Sequence, residues 1–140
     1  RALGEVLRHH QPLDIPLGRL GVFPHLREPR ILWIGPPREW EEGEEAKRLV
    51  RLHQAVDDCC TTFGCRPDAR LFAPHLTLAR IKRGALHVGS RLAQTGVLNR
   101  PLSVGLVPVR SLSLIKSELR PSGPRYTRLW EGRVGNATGM

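Results

Sequence analysis

The chain has 140 residues, with 22 Lys/Arg against 13 Asp/Glu and 40% hydrophobic residues. That length suits one domain with its own core, and no stretch approaches the roughly 20 apolar residues of a membrane span. No apolar signal-peptide segment is visible in residues 1–11. The cysteines, Cys59, Cys60 and Cys65, match neither a disulfide framework nor a metal-ligand spacing. They are expected to be buried thiols on a helix in a reducing, cytoplasmic setting.

Charge is uneven along the chain. Residues 1–65 carry 9 Lys/Arg against 10 Asp/Glu, and residues 66–140 carry 13 against 3. The basic half is suited to a polyanion. A positive surface that only keeps the protein soluble explains the same count.

Residues 1–10 read as a helix, with Ala2, Leu3, Val6 and Leu7 spaced for one face and no cap ahead of them. The pattern is that of a helix entered partway, so more chain is expected before it. His9 and His10 end it, where a cationic ring suits the helix dipole. Leu13, Ile15 and Leu17 alternate with polar or small residues as a strand, and Pro16 suggests an edge. Gly18, Gly21 and Pro24 are expected to break that strand into a turn or bulge. His25 then belongs to a surface loop. Residues 31–34, Ile-Leu-Trp-Ile, form a short apolar run of the kind buried on both faces, stopped by Gly35-Pro36-Pro37.

A helix is expected over residues 40–63, with a stripe from Ala46 to Phe63 near period 3.6. The five glutamates of residues 39–45 sit in its first turns, where the dipole favours negative charge. They need no catalytic explanation. His53 is expected to pack, and Gly64 to cap the helix. A strand around residues 75–81 comes next. A weaker helix follows over 84–98, diluted by Gly89 and Gly96. Alternation at 102–106 gives a strand that Pro108 interrupts. Strands at 112–116 and 126–134 flank the turn residues 121–124 as a hairpin. Residues 135–140 look like a flexible tail. The mixture predicts an α+β fold with a largely antiparallel sheet.

The chemistry concentrates in residues 72–80, Phe-Ala-Pro-His-Leu-Thr-Leu-Ala-Arg. Pro74 biases the residue before it towards extended backbone. On a strand, His75 and Thr77 then share one face, and Leu76 and Leu78 the other, where a core can take them. An imidazole, titrating near 6.5 in peptides, can give or take a proton at about neutral pH. A threonine hydroxyl and an arginine fork can hold a phosphate. Strict alternation points Arg80 away from His75, so its participation requires a bulge or the end of the strand near Ala79. The set suggests phosphate-ester chemistry. One histidine is not enough for it, because phosphoryl transfer needs one proton removed and another delivered.

His75-Leu76-Thr77-Leu78 is an H-x-T-x motif. With Pro74 before it and Ala79-Arg80 after it, it resembles the second signature of the 2H phosphoesterases. The nearest branch is the bacterial and archaeal RNA 2′,3′-cyclic phosphodiesterases, also called 2′-5′ RNA ligases. Two further blocks are similar to that branch: Phe23-Pro24 followed by residues 29–35, and Ser117-Glu118-Leu119 with residues 123–127. The resemblance covers nearly all of residues 12–130. It implies a bilobal fold with antiparallel sheets flanked by helices, each lobe bringing one H-x-T-x strand to a groove. It implies that His75 is the general base, that Thr77 binds the phosphate and that Arg80 steadies it. No metal and no cofactor are implied. The expected substrate is an RNA or oligonucleotide end bearing a 2′,3′-cyclic phosphate, opened to a 2′-phosphomonoester, with 2′-5′ ligation as related chemistry.

The first H-x-T-x is missing. His9, His10, His25, His53 and His87 all lack a threonine two positions later. Residues 1–134 are therefore expected to form a single 2H-like domain whose first lobe is incomplete. The isolated chain should have little or no activity, and its full-length parent should be a monomeric enzyme. A non-catalytic basic RNA-binding module is the alternative. A basic α+β domain in which His75 is an ordinary strand residue is the plainest one.

Overall fold

A computed structural model describes residues 2–66 and 72–135. The elements run α1 (Ala2–Arg8), β1 (Leu13–Leu17), β2 (Arg19–Phe23), β3 (Ile31–Gly35), α2 (Arg38–Glu41), α3 (Glu44–Thr62), β4 (Leu76–Arg80), α4 (Ala85–Thr95), a 3₁₀ turn (Val97–Asn99), β5 (Gly105–Val109), β6 (Ser111–Arg120) and β7 (Gly123–Arg133). Among the described residues every strand pairing with a resolved register is antiparallel. This is the α+β class expected of the alternating patterns.

The chain divides into two compact units. One gathers residues 1–13, 48–70 and 108–140. Its hairpin β6–β7 runs in register from Ser111↔Arg133 to Arg120↔Gly123, so the turn is only Pro121-Ser122. Leu7, Leu52 and Val134 form its core, with Val56, Val109, Leu112 and Trp130 packed against them. Gly135, expected to start the tail, is instead buried, and its N–H donates to Leu7 O at 2.9 Å. The rest of that tail, residues 136–140, lies outside the described residues.

The other unit gathers residues 14–47 and 71–107. Its main sheet has the order β2-β3-β4, with β3 central. Gly18 does separate β1 from β2 and Pro24 follows the end of β2, as expected, but Gly21 lies inside β2, which pairs with β3 from Arg19↔Gly35 to Phe23↔Ile31. Gly21 is in mid-strand because the Trp33 ring lies on it. A Cβ at Gly21 would meet that ring at 2.0 Å. An aromatic opposite a glycine uses the bare backbone as a platform, which turn statistics do not anticipate. Pro108 likewise does not stop its strand but lies inside β5. A two-stranded sheet has only edge strands, where a missing N–H is tolerated.

The long helix is split. α2 ends at Glu41 and α3 begins at Glu44, with Glu42 and Gly43 between them. Some of the glutamates act structurally, as expected: Glu45 Oε2 accepts from Asp14 N–H at 3.1 Å, and Glu41 pairs with Arg19 at 3.1 Å. At the other end, Gly64 at φ +91° turns the chain out of α3. Its N–H donates to Thr61 O, and Cys65 N–H to Cys60 O. The thiols are less buried than expected. Cys59 and Cys60 are half-buried, and Cys65 lies exposed beyond the helix.

Candidate functional site

The second unit brings the histidine and threonine of the H-x-T-x motif onto one face of its three-stranded sheet. β4 is an edge strand antiparallel to β3, and its register contains a bulge. Thr77 faces Trp33 and Ala79 faces Leu32, so Leu78 has no partner of its own. Directly opposed residues share a face, and so do residues two apart on β3. Thr77, opposite Trp33, and Arg80, opposite Ile31, therefore lie on the same face. The extra residue re-phases the strand and meets the condition that sequence alternation set for Arg80. Were residues 77 to 80 all paired in turn, Arg80 would lie on the far face.

The same face carries Arg19, Gly21 and Phe23 from β2, through their partners Gly35, Trp33 and Ile31. His75 stands just before β4, exposed at the surface. Its Nδ1 lies 2.7 Å from Ala73 O. A carbonyl can only accept, so this hydrogen bond requires the proton on Nδ1. In the neutral ring Nε2 then holds the lone pair. The imidazole packs on aromatics of the same face: Phe23 edge-to-face at 5.1 Å and 87°, and Trp33 at 6.2 Å and 58°. Arg19 sits over the Trp33 ring at 5.1 Å, with its Nε donating to Pro36 O.

The two leucines of the motif do not enter a core. Leu76 is 47% exposed and Leu78 54%. Leu76 does lie on the face of its partner Ile34, which is buried. An edge strand covers only one flank, and the bulge lifts Leu78 from the ladder, so alternation alone overstated their burial. The other histidines are not part of this arrangement. His25 is an exposed turn residue whose Nδ1 accepts from Glu28 N–H at 3.3 Å, and His9 approaches Glu5 at 3.9 Å.

Sequence reasoning missed Phe23, Trp33 and Arg19. The alternation of Arg19, Gly21 and Phe23 with Leu20 and Val22 was the available signal. Gly18, Gly21 and Pro24 obscured it by imitating a turn.

Residues 1–120 match the family model described as the 2′-5′ RNA ligase superfamily. The chain belongs to this superfamily. It is 34% identical over 123 residues to an RNA 2′,3′-cyclic phosphodiesterase of Aeropyrum pernix, covering 88% of this chain and 65% of the relative. It is 32% identical over 134 residues to one of Aquifex aeolicus, covering 95% and 66%. The first relatives are thus matched over 61–66% of their length. Among solved structures, TT0787 of Thermus thermophilus superposes with a TM-score of 0.66 at 29% identity, over 97% of this chain and 68% of that one. The apo form of LigT from E. coli shares the fold with a TM-score of 0.59, at 23% identity and with 96% and 67% covered. The superfamily fold expected from the H-x-T-x residues is the fold of this chain.

Proposed function

We propose that this chain carries the base half of an RNA 2′,3′-cyclic phosphodiesterase. His75 Nε2 takes a proton from water as the water oxygen attacks phosphorus. The bond from phosphorus to the 3′ oxygen breaks, and the 2′-phosphomonoester remains. Thr77 donates its hydroxyl hydrogen to a phosphate oxygen, and Arg80 offsets the charge that grows on the phosphoryl group. The leaving 3′ oxygen takes its proton from a second acid. No second H-x-T-x occurs in the 140 residues, so that acid lies outside the motif carried here.

One observation carries the reading: the bond from Nδ1 to Ala73 O commits the proton to one nitrogen and leaves the other basic. The bulge at Leu78 supports it by aligning Arg80 with Thr77. The names of the relatives supply the substrate class. In this reading the full gene product works as a cytoplasmic monomer on RNA ends, in the hydrolytic or the ligating sense.

Turnover of a 2′,3′-cyclic nucleotide is the test. The full gene product should hydrolyse it, the 140-residue chain should do so weakly or not at all, and His75→Ala should abolish it in the full product. Wild-type turnover by His75→Ala would remove the base from the reading. RNA binding without turnover in the full product would favour a non-catalytic module.

A further inference from the structure

Three rings meet at the site, and only one belongs to the motif. The Phe23 and Trp33 centroids are 5.4 Å apart, and each packs on His75, at 5.1 and 6.2 Å. We propose that Phe23 and Trp33 are positioning residues that hold the His75 imidazole in its base-competent orientation. The proposal rests on the reading of His75 as the base.

The geometry makes the case. His75 stands outside the β4 ladder and its side chain is exposed, so neither strand pairing nor a core restrains its ring. The hydrogen bond to Ala73 O anchors one nitrogen but leaves the ring free to swing about that contact. Two aromatic contacts at different inclinations, 87° and 58°, restrict that swing. Edge-to-face packing is directional, since the positive edge of one ring seeks the negative face of another.

The clamp is itself anchored. Trp33 is only 8% exposed, lies on the bare backbone of Gly21 and is covered by Arg19. Its Nε1 is buried without a hydrogen-bond partner. Such a group is costly in a folded protein and calls for an explanation beyond packing. A phenylalanine would fill the inner part of this space with no orphan N–H. The indole instead fills the space between the Gly21 backbone and the His75 ring, 6.2 Å from it between centroids.

Two measurements test the proposal. In ¹⁵N NMR of the 140-residue chain, neutral His75 should be a single Nδ1–H tautomer whose ring protons carry the shifts of neighbouring aromatic currents. In the full gene product, Phe23→Leu should lower kcat on a 2′,3′-cyclic nucleotide by about 10- to 100-fold with KM unchanged, as expected when a reacting group is misplaced. Phe23→Tyr should restore most of that loss. Trp33→Phe should stay folded, since it removes the orphan N–H, yet should lower kcat and let the His75 tautomers mix. A purely structural role would reduce the amount of folded protein without moving kcat per folded site or the tautomer. Wild-type kcat and an unchanged His75 spectrum in both Phe23→Leu and Trp33→Phe would overturn the proposal. If Phe23→Leu does not fold, mixed tautomers in the wild-type chain would overturn it equally. Full activity of His75→Ala would instead strike the base reading, and the spectrum would still decide whether the rings orient the imidazole.

Discussion

At the residue scale, three side chains divide the proposed work by their chemistry. An imidazole moves a proton, a hydroxyl donates one hydrogen bond, and a guanidinium presents a rigid charged fork. Their substitutions should therefore fail differently. Thr77→Val keeps the β-branched shape but cannot donate, and turnover should fall about 10- to 100-fold, on the scale of one lost hydrogen bond to a charged group. Steady-state assay of the full gene product measures it. Arg80→Lys keeps the charge and loses the fork, so it should fall between wild type and Arg80→Ala. In the unit that does not hold the site, burial raises the Cys60 thiol above its usual range, helped by neighbouring Cys65, Cys59 and Asp57. Less thiolate at neutral pH means slower alkylation. Cys60 should react with iodoacetamide more slowly than an unhindered peptide thiol, and its rate should climb at a pH above that of the peptide. Mass spectrometry after timed labelling reads both.

At the element scale, the bulge in β4 and the glycine in β2 make the site face. The bulge brings Arg80 into phase with Thr77. Deleting Leu78 would remove the bulge and leave Arg80 two positions after Thr77, still on its face, so if β4 still pairs the deletion should keep the KM and salt response of wild type rather than those of Arg80→Ala. Gly21 is the complementary device. Its position opposite Trp33 leaves no room for a methyl group, since a Cβ there would stand 2.0–2.4 Å from the ring atoms. Gly21→Ala must push the indole off the strand. Overpacking of this kind costs about 1–3 kcal/mol, and the displaced ring would no longer meet His75. Chemical denaturation and the kcat of the same variant should both decline, whereas Gly43→Ala, between α2 and α3, should leave kcat unchanged.

At the scale of the whole molecule, charge and exposed apolar surface stand out. Residues 71–107 contain five Lys/Arg and no Asp/Glu, and this is the segment that holds His75, Thr77 and Arg80. If three of these cations meet phosphates of a single strand, affinity should fall roughly 20-fold between 50 and 200 mM salt. Fluorescence anisotropy with a short labelled RNA measures this, and a flat response would show that phosphate contacts are few. Among the described residues nine hydrophobic side chains are buried, while thirteen large ones are exposed, including Leu119 at 91% and Phe63 at 72%. Five of them, Leu114, Ile115, Leu119, Tyr126 and Leu129, lie on the single hairpin β6–β7, and grouped apolar surface favours association. The 140-residue chain should bind the dye ANS under native conditions and self-associate at high concentration, both measurable by fluorescence and light scattering. No described helix is long and apolar enough to cross a membrane.

Local pattern was enough for most of the elements and for the motif. Leu13–Leu17, Ile31–Gly35 and the β6–β7 hairpin follow from alternation and turn residues, and α3 from its apolar stripe, because these signals involve neighbours along the chain. The H-x-T-x residues pointed to the superfamily for the same reason. Tertiary structure decided the rest. Whether Gly21 is a turn or a platform depends on Trp33, twelve residues away and opposite it across a sheet. Whether Arg80 joins Thr77 depends on one unpaired residue in the ladder. Whether His75 is free or held depends on rings from β2 and β3. Each of these is a contact between segments remote in sequence. Such contacts arise only when strands pair and side chains compete for the same space, which no local periodicity records.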